Sequence, residues 1–266
     1  MRHCRIWFLD FLWLLAIPIA AGLLPLAAGS QDAAEDLRIP QRVISFEHIN
    51  RELVLKCDVG FLTIKAYADN IIHVSYSLTR TKTPARLWGI RAKPSEQNYR
   101  VESAAAAVRL VAGRLAVRVD RKTAQLTFLD AKQNVLLAST SYRLQDPQAP
   151  AGSGACIHAE FRSSEQEAYY GPGEDPGSSE SRRGQTISFP QHPELGGQKT
   201  AEIPFLLSSL RYGIVFNNPS KTTVSPGKDN LTTWDAESGT VLSYFVIYGE
   251  TWKEIHRGFE FLTARY

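Results

Sequence analysis

The segment Tyr169-Tyr170-Gly171-Pro172-Gly173-Glu174 places two aromatic rings and a carboxylate at a glycine-hinged corner. Aromatic faces and acids are residue types that stack on and hydrogen-bond to a sugar ring, so the corner is a candidate binding edge. Consecutive tyrosines on a strand point to opposite faces, so one belongs to a core and the other faces the loop. Cleaving a glycosidic bond would need two carboxyl groups roughly 5 Å or roughly 6.5–9.5 Å apart. Glu165, Glu167, Glu174, Asp175, Glu180 and Glu194 crowd this stretch, but no spacing among them nominates a pair. They read as surface acids on a loop. Glu174 stands apart because it follows the glycine corner, where a structural hydrogen bond and a ligand contact both remain open.

Other chemistry is weakly represented. Phe189 and Trp234 sit near loops, where core packing outweighs stacking on a ligand. No serine lies in a G-x-S-x-G setting, and the six histidines are dispersed, with His158 and His192 reading as unrelated. The chain has no C-x-x-C, H-E-x-x-H or His/Cys cluster, so neither a metal site nor a cofactor is expected. Asn230-Leu231-Thr232 has the form of a glycosylation sequon.

The elements that position the corner begin after residue 30. Arg2, His3 and Arg5 precede an apolar run over 11–26, and small residues Ala27-Ala28-Gly29-Ser30 follow. This pattern reads as a signal peptide over 1–30, with export to the periplasm or the exterior and no membrane attachment after cleavage. Its removal takes away Arg2, Arg5 and Asp10, a net +1, and leaves 236 of 266 residues at a net charge near +2 instead of +3. That balance excludes nucleic acid and anionic membrane as expected partners. Cys57 and Cys156 remain, compatible either with one disulfide or with two buried thiols.

Residues 31–41 read as a linker and 42–250 as one β domain. Short runs at 43–46, 53–57, 61–67, 71–76, 107–111, 115–119, 125–129 and 135–138 alternate or are β-rich, with Asp/Gly/Asn turn signals between them. The runs 157–161, 203–208 and 212–216 continue the series, the last two as a hairpin, and 241–247 is apolar on both faces as a central strand would be. The gaps are too short for helical crossovers, so the fold expected is an antiparallel β-sandwich. Residues 145–154 read as a surface loop, and 172–199 shows no period. Trp252, Ile255, Phe259 and Leu262 form an amphipathic helix stripe over 251–266. The chain stops four residues later, at Tyr266, which reads as cut rather than finished.

In order, these landmarks resemble the N-terminal domain of glycoside hydrolase family 31, the α-glucosidases and α-xylosidases. Tyr169 to Glu174 resembles the family's F-Y-G-L-G-E signature, and Arg183-Gly184 the R-G that follows it. Ile203-Pro204-Phe205-Leu206-Leu207-Ser208-Ser209 and Tyr212-Gly213-Ile214-Val215-Phe216-Asn217-Asn218 resemble the next two family strands. The strand over 240–249 and the helix over 252–263 match the approach to a catalytic barrel. The likeness spans roughly 42–266. It implies an all-β, galactose mutarotase-like supersandwich with a short C-terminal helix, followed in the family by a (β/α)8 barrel that holds both catalytic aspartates. No residue here matches either aspartate, so no catalytic residue is assigned. By position, the loop after Gly171 would help wall the substrate pocket, with Tyr170, Glu174, Arg183 and Gln191 as substrate-binding matches.

There are departures. Ala264 follows Leu262-Thr263 where the family has glycine, and Arg211 stands where a glycine often precedes the Tyr-Gly pair. Phe189-Pro190-Gln191-His192 occupies the place of a W-x-x-D-like segment, in a setting closer to the α-xylosidase branch. The resemblance implies the pocket domain of an α-glycosidase, truncated and inactive alone, whose partners are an α-linked oligosaccharide or glycoside and a barrel. The alternatives are a free-standing carbohydrate-binding module, which needs an exposed aromatic platform, and a non-catalytic scaffold for a separately encoded barrel.

Overall fold

The computed structural model describes residues 37–38, 40–49, 51–80, 87–94, 99–145, 157–171, 180–190 and 204–263. Its strands are β1 (Leu37–Arg38), β2 (Val43–Ile49), β3 (Glu52–Cys57), β4 (Phe61–Ala68), β5 (Ile71–Ser77), β6 (Arg100–Ser103), β7 (Ala107–Val111), β8 (Leu115–Asp120) and β9 (Leu126–Asp130). They continue as β10 (Val135–Gln145), β11 (Ile157–Arg162), β12 (Tyr169–Tyr170), β13 (Ile187–Phe189), β14 (Phe205–Ser208), β15 (Tyr212–Phe216), β16 (Thr222–Lys228), β17 (Leu231–Ala236) and β18 (Val241–Tyr248). One helix, α1 (Trp252–Thr263), closes the series.

The strands form two antiparallel sheets. One runs β13-β16-β17-β11-β10-β9-β8-β7-β6, with β1 added on β10, and the other runs β12-β14-β15-β18-β5-β4-β3-β2. Alternation builds the space between them. Leu53, Leu55 and Cys57 of β3, Val117 and Val119 of β8, and Thr232, Trp234 and Ala236 of β17 are buried. Glu52, Val54 and Lys56 of β3 and Arg118 of β8 take the positions between them on the opposite face. Among the described residues the chain is thus the all-β, two-sheet sandwich that the alternation implied, with the one short C-terminal helix that the apolar stripe implied.

β18 departs from alternation for a physical reason. Its inner face carries Leu242, Tyr244 and Val246, and its outer face carries Phe245 and Ile247, which join Ile71, Phe205, Val215, Ile255 and Leu262 in a second cluster under α1. The helix starts where Thr251 Oγ1 accepts from Glu254 N at 3.3 Å and Glu254 Oε2 accepts from Glu250 N at 3.2 Å, close to a capping box. Gly258 lets the helix settle, because a Cβ there would come within 2.6 Å of Ile247 Cγ2. The strap over 87–92 lies beside α1: Arg91 N and Ala92 N donate to Leu262 O at 2.8 and 3.2 Å.

Three differences from the sequence expectation concern the strands. β10 runs to Gln145 instead of ending near 138, because the polar Ser139-Thr140-Ser141 interruption is a β-bulge and not a stop. β16 and β17 have no counterpart among the expected runs; β16 carries Pro226-Gly227 at an irregularity in register between Ser225 and Lys228. The hairpin itself closes on Asp229 and Asn230, both at positive φ (52° and 60°). β13 lies inside the stretch 172–199, which shows no period in the sequence. Cys57 is a buried free thiol, and Cys156 lies outside the described residues. Residues 1–36, which include the leader-like segment, also lie outside them.

Candidate functional site

The corner is built on the short edge strand β12, where Tyr169 pairs with Ser208 and Tyr170 with Leu207. As the alternation required, the two tyrosines part. Tyr169 points into the core between the sheets and is fully buried. Tyr170 points to the outer face, partly buried, with its ring edge-on to Trp252 of α1 at 6.1 Å between centroids. Arg211 lies over the same indole at 4.5 Å. An aromatic pair and a guanidinium therefore flank Gly171.

Beneath this lies a polar node. Glu167 is 2% exposed. Its Oε1 accepts from the Ser208 hydroxyl and, at 2.6 Å, from Tyr212 OH. Its Oε2 accepts from Ser164 N at 3.1 Å and Ser163 Oγ at 3.4 Å. Ser163 Oγ also bonds Tyr169 OH at 2.6 Å, and Tyr169 OH accepts from Thr232 Oγ1 at 2.9 Å. The node joins strands of both sheets. Burial, reinforced by the Glu167 charge, pushes the Tyr169 phenol up to about 12. Burial raises Tyr212 as well, with Tyr169 and Glu167 adding to it. Both phenols are thus neutral donors or acceptors at ordinary pH, and both oxygens of the carboxylate are occupied by protein donors. The node holds the shape of the corner.

Arg183 closes the other side. Its Nη1 lies within 3.0 Å of Ser163 Oγ, 2.8 Å of Ser164 O and 3.1 Å of Glu167 O, and its Nη2 donates to Asn230 Oδ1 at 2.8 Å. Gly227, at φ 67°, makes room: a Cβ there would come within 2.5 Å of that guanidinium. Tyr169 N donates to Ser181 Oγ at 3.0 Å and Arg182 N to Tyr169 O at 2.7 Å, so the strand entering the loop at Gly171 is bonded to the segment that leaves it.

Of the four residues singled out from sequence, Tyr170 sits on the outer corner and Arg183 at the base, turned toward protein partners. Glu174 and Gln191 lie outside the described residues. Phe189 and Trp234 are core: Trp234 stacks on Phe216 at 5.1 Å and faces Phe189 at 6.5 Å. His158 bonds Asp235 across β11 and β17 at 2.7 Å, and His192 lies outside the described residues. Sequence reasoning misplaced Glu167, which is not a surface acid. The signal was available in Ser164-x-x-Glu167, a capping-box spacing that here folds the carboxylate back onto Ser164 N in a turn. Among the described residues no group of three or more His, Cys, Asp or Glu could hold a metal, and no helix is long and apolar enough to cross a membrane.

Residues 61–224 match the glycosyl hydrolase 31 N-terminal galactose mutarotase-like domain. An α-xylosidase of Saccharolobus solfataricus is 31% identical over 116 residues, covering 41% of this chain and 15% of that protein. An isomaltosyltransferase of Sporosarcina globispora is 26% identical over 212 residues, covering 74% of this chain and 19% of that protein. Among solved structures, a Flavobacterium johnsoniae family 31 dextranase complexed with isomaltotriose superposes with a TM-score of 0.70 at 20% identity, over 85% of this chain and 28% of that one. The chain therefore spans less than a fifth of the length of either of these two relatives.

Proposed function

Since the chain belongs to the N-terminal galactose mutarotase-like domain of glycoside hydrolase family 31, we propose that it forms one wall of an α-glycosidase substrate pocket, acting on an α-linked oligosaccharide or glycoside together with a catalytic barrel. The supporting observation is the corner itself. Tyr170, Trp252 and Arg211 present an aromatic and cationic rim beside Gly171, and the Glu167–Arg183 node fixes that rim to both sheets. In this reading Tyr170 touches the sugar, Glu174 and Gln191 extend the wall, and Arg183 anchors the loop that carries them. The chemistry belongs to the barrel. Retaining hydrolysis needs two free carboxyl groups about 5–5.5 Å apart, and the buried acid at this corner, Glu167, is committed to protein donors. The leader-like first 30 residues support export.

The decisive test joins this chain to a family 31 barrel produced without its own first domain. The fusion is expected to cleave an aryl α-xyloside or α-glucoside, and Tyr170→Ala is expected to raise KM by about tenfold, or about 1.4 kcal/mol, with kcat little changed. A folded, active fusion with an unaltered KM in the variant would remove Tyr170 from the pocket. Release of sugar by the 266-residue chain alone would overturn the assignment of the chemistry to the barrel.

A further inference from the structure

The two sheets end in four edge strands, and three of them are short. Among the described residues β12 has two residues, β13 three and β6 four. The fourth, β2, has seven, Val43-Ile44-Ser45-Phe46-Glu47-His48-Ile49, and pairs with β3 alone. In an antiparallel ladder every second residue of such a strand turns its N–H and C=O away from its neighbour, which leaves a row of backbone groups open to another strand. At the start of β2, Val43 N donates to Arg121 O at 2.9 Å; no other backbone bond among the described residues covers that free side. Soluble proteins blunt an edge by short length, lysine, proline or a bulge. β2 is long and has neither lysine nor proline. Its bulge lies at one end, between Val43 and Ser45, and Ser45 to Ile49 pair with Lys56 to Glu52 without a break.

The side chains agree with an open edge. Ile44 and Ile49, 51% and 42% exposed, are two of the five exposed large hydrophobic side chains described, and both lie on this one strand. Ser45 and His48 are exposed as well. The polar groups already have partners within the chain: Glu47 pairs with Arg80, and His48 Nε2 lies 2.6 Å from Tyr99 OH. What the strand lacks is a neighbouring strand. A second copy of the chain offers one whose pattern fits, and charge selects the register. Placing Glu47 opposite Glu47 of the second copy sets like charges face to face, which is destabilising. Placing Ser45 opposite its own counterpart leaves His48 and Ile49 beyond the end of the partner strand. With Phe46 opposite Phe46, all seven residues are aligned. Glu47 then faces Ser45 of the second copy, His48 faces Ile44 and Ile49 faces Val43, and no like charges oppose each other.

We propose that β2 pairs two copies of this chain edge to edge, antiparallel about a two-fold axis at Phe46, joining their eight-stranded sheets into one. The contact is isologous: each β2 completes the other, no long free edge is left, and assembly stops at the dimer. A single strand pair is a small interface, so the affinity is modest. The Tyr170 corner on β12 lies at the opposite end of the same sheet, and the dimer does not depend on the pocket wall proposed above.

Sedimentation equilibrium of the purified 266-residue chain tests this. A reversible monomer–dimer equilibrium is expected, with a dissociation constant of about 10 μM. Ile44→Lys and Ile49→Lys each put a hydrated charge on the edge and are each expected to weaken the dimer by about tenfold or more. Both side chains face solvent in the monomer, so an unchanged far-UV spectrum is expected. The register has its own readout. A mixture of Ser45→Cys and Glu47→Cys chains is expected to form a disulfide-linked dimer under mild oxidation, and neither variant alone to the same extent. A chain that stays monomeric at about twenty times that constant overturns the proposal. A dimer that survives both lysine variants overturns it as well, because another surface, such as the leader-like segment, then holds the copies. Assembly that grows past the dimer overturns the closed two-fold contact, and Ser45→Cys linking to itself in preference to the mixture overturns the axis at Phe46.

Discussion

Glu167 and Arg211 show how single side chains set the corner. Glu167 is buried with four protein donors, so Glu167→Gln turns an acceptor into a donor facing Ser208 and Tyr212 or Ser164 N. Leaving such groups unpaired in the interior costs about 3 kcal/mol, whereas Tyr169→Phe, which removes one shared hydroxyl, costs about 1 kcal/mol. Urea midpoints of the two variants check this order; an equal loss would mean that the node is not centred on the carboxylate. Arg211 explains a departure from the family pattern. It sits at φ 69°, where a non-glycine residue carries strain of about 1 kcal/mol. Its guanidinium over Trp252 offsets that by about 0.5–1 kcal/mol. Arg211→Gly is therefore expected to be near neutral, while Arg211→Ala keeps the strain, loses the ring contact and lowers stability by about 1 kcal/mol. Denaturation of the pair checks this, and a markedly destabilised glycine variant would count against the offset.

At the scale of elements, α1 and the hairpin of β16 and β17 decide what the corner faces. The helix lies against β18 because Gly258 presents no Cβ to Ile247. Gly258→Ala is expected to lift the helix and cost about 1–3 kcal/mol, despite alanine's higher helix propensity of about 1 kcal/mol. Thermal melts check the sign: a stabilised variant would show that propensity outweighs packing here. The hairpin supplies Asn230 and Thr232 to Arg183 and Tyr169, so the loop corner borrows its rigidity from strands some 50 residues downstream of it. In the same way β5 and β18 place His73 between Tyr67 and Phe245, with its Nε2 bonded to Ser243 Oγ at 2.9 Å.

For the whole molecule, that histidine writes a pH dependence. Burial, and then the Lys65 charge, lower its pKa from the model-compound 6.5 to about 3. The unfolded chain takes up the proton near its ordinary value, while the folded chain refuses it until about pH 3. Stability is therefore whole above pH 6.5 and falls as pH drops toward 3, by at most about 1.4 kcal/mol per pH unit. The partial exposure of the residue makes this an upper bound. His73→Gln is expected to flatten the stability profile between pH 6 and 4, read from urea midpoints across that range; an unchanged slope would exclude the histidine as its source.

The two-sheet architecture was legible because period-2 alternation and turn residues are local signals, as in β3, β4, β8 and the hairpin of β14 and β15. The parting of Tyr169 and Tyr170 followed from the geometry of one strand alone. The amphipathic stripe likewise marked α1, and the apolar run marked β18 as central. What the sequence could not determine depends on contacts between distant segments. β16, which contains Pro226-Gly227, becomes a strand because β13 and β17 pair with it on either side. Glu167 reads as a loop acid until Ser208 and Tyr212, some 40 residues away, supply its donors. Arg183 shows its protein partners only once Ser163, Ser164 and Asn230 gather around it. Sequence fixes which faces must be buried, because burial follows side-chain type along a strand. Tertiary structure decides which polar groups are satisfied by protein and which remain for a ligand, because a hydrogen bond depends on position in space rather than on spacing along the chain.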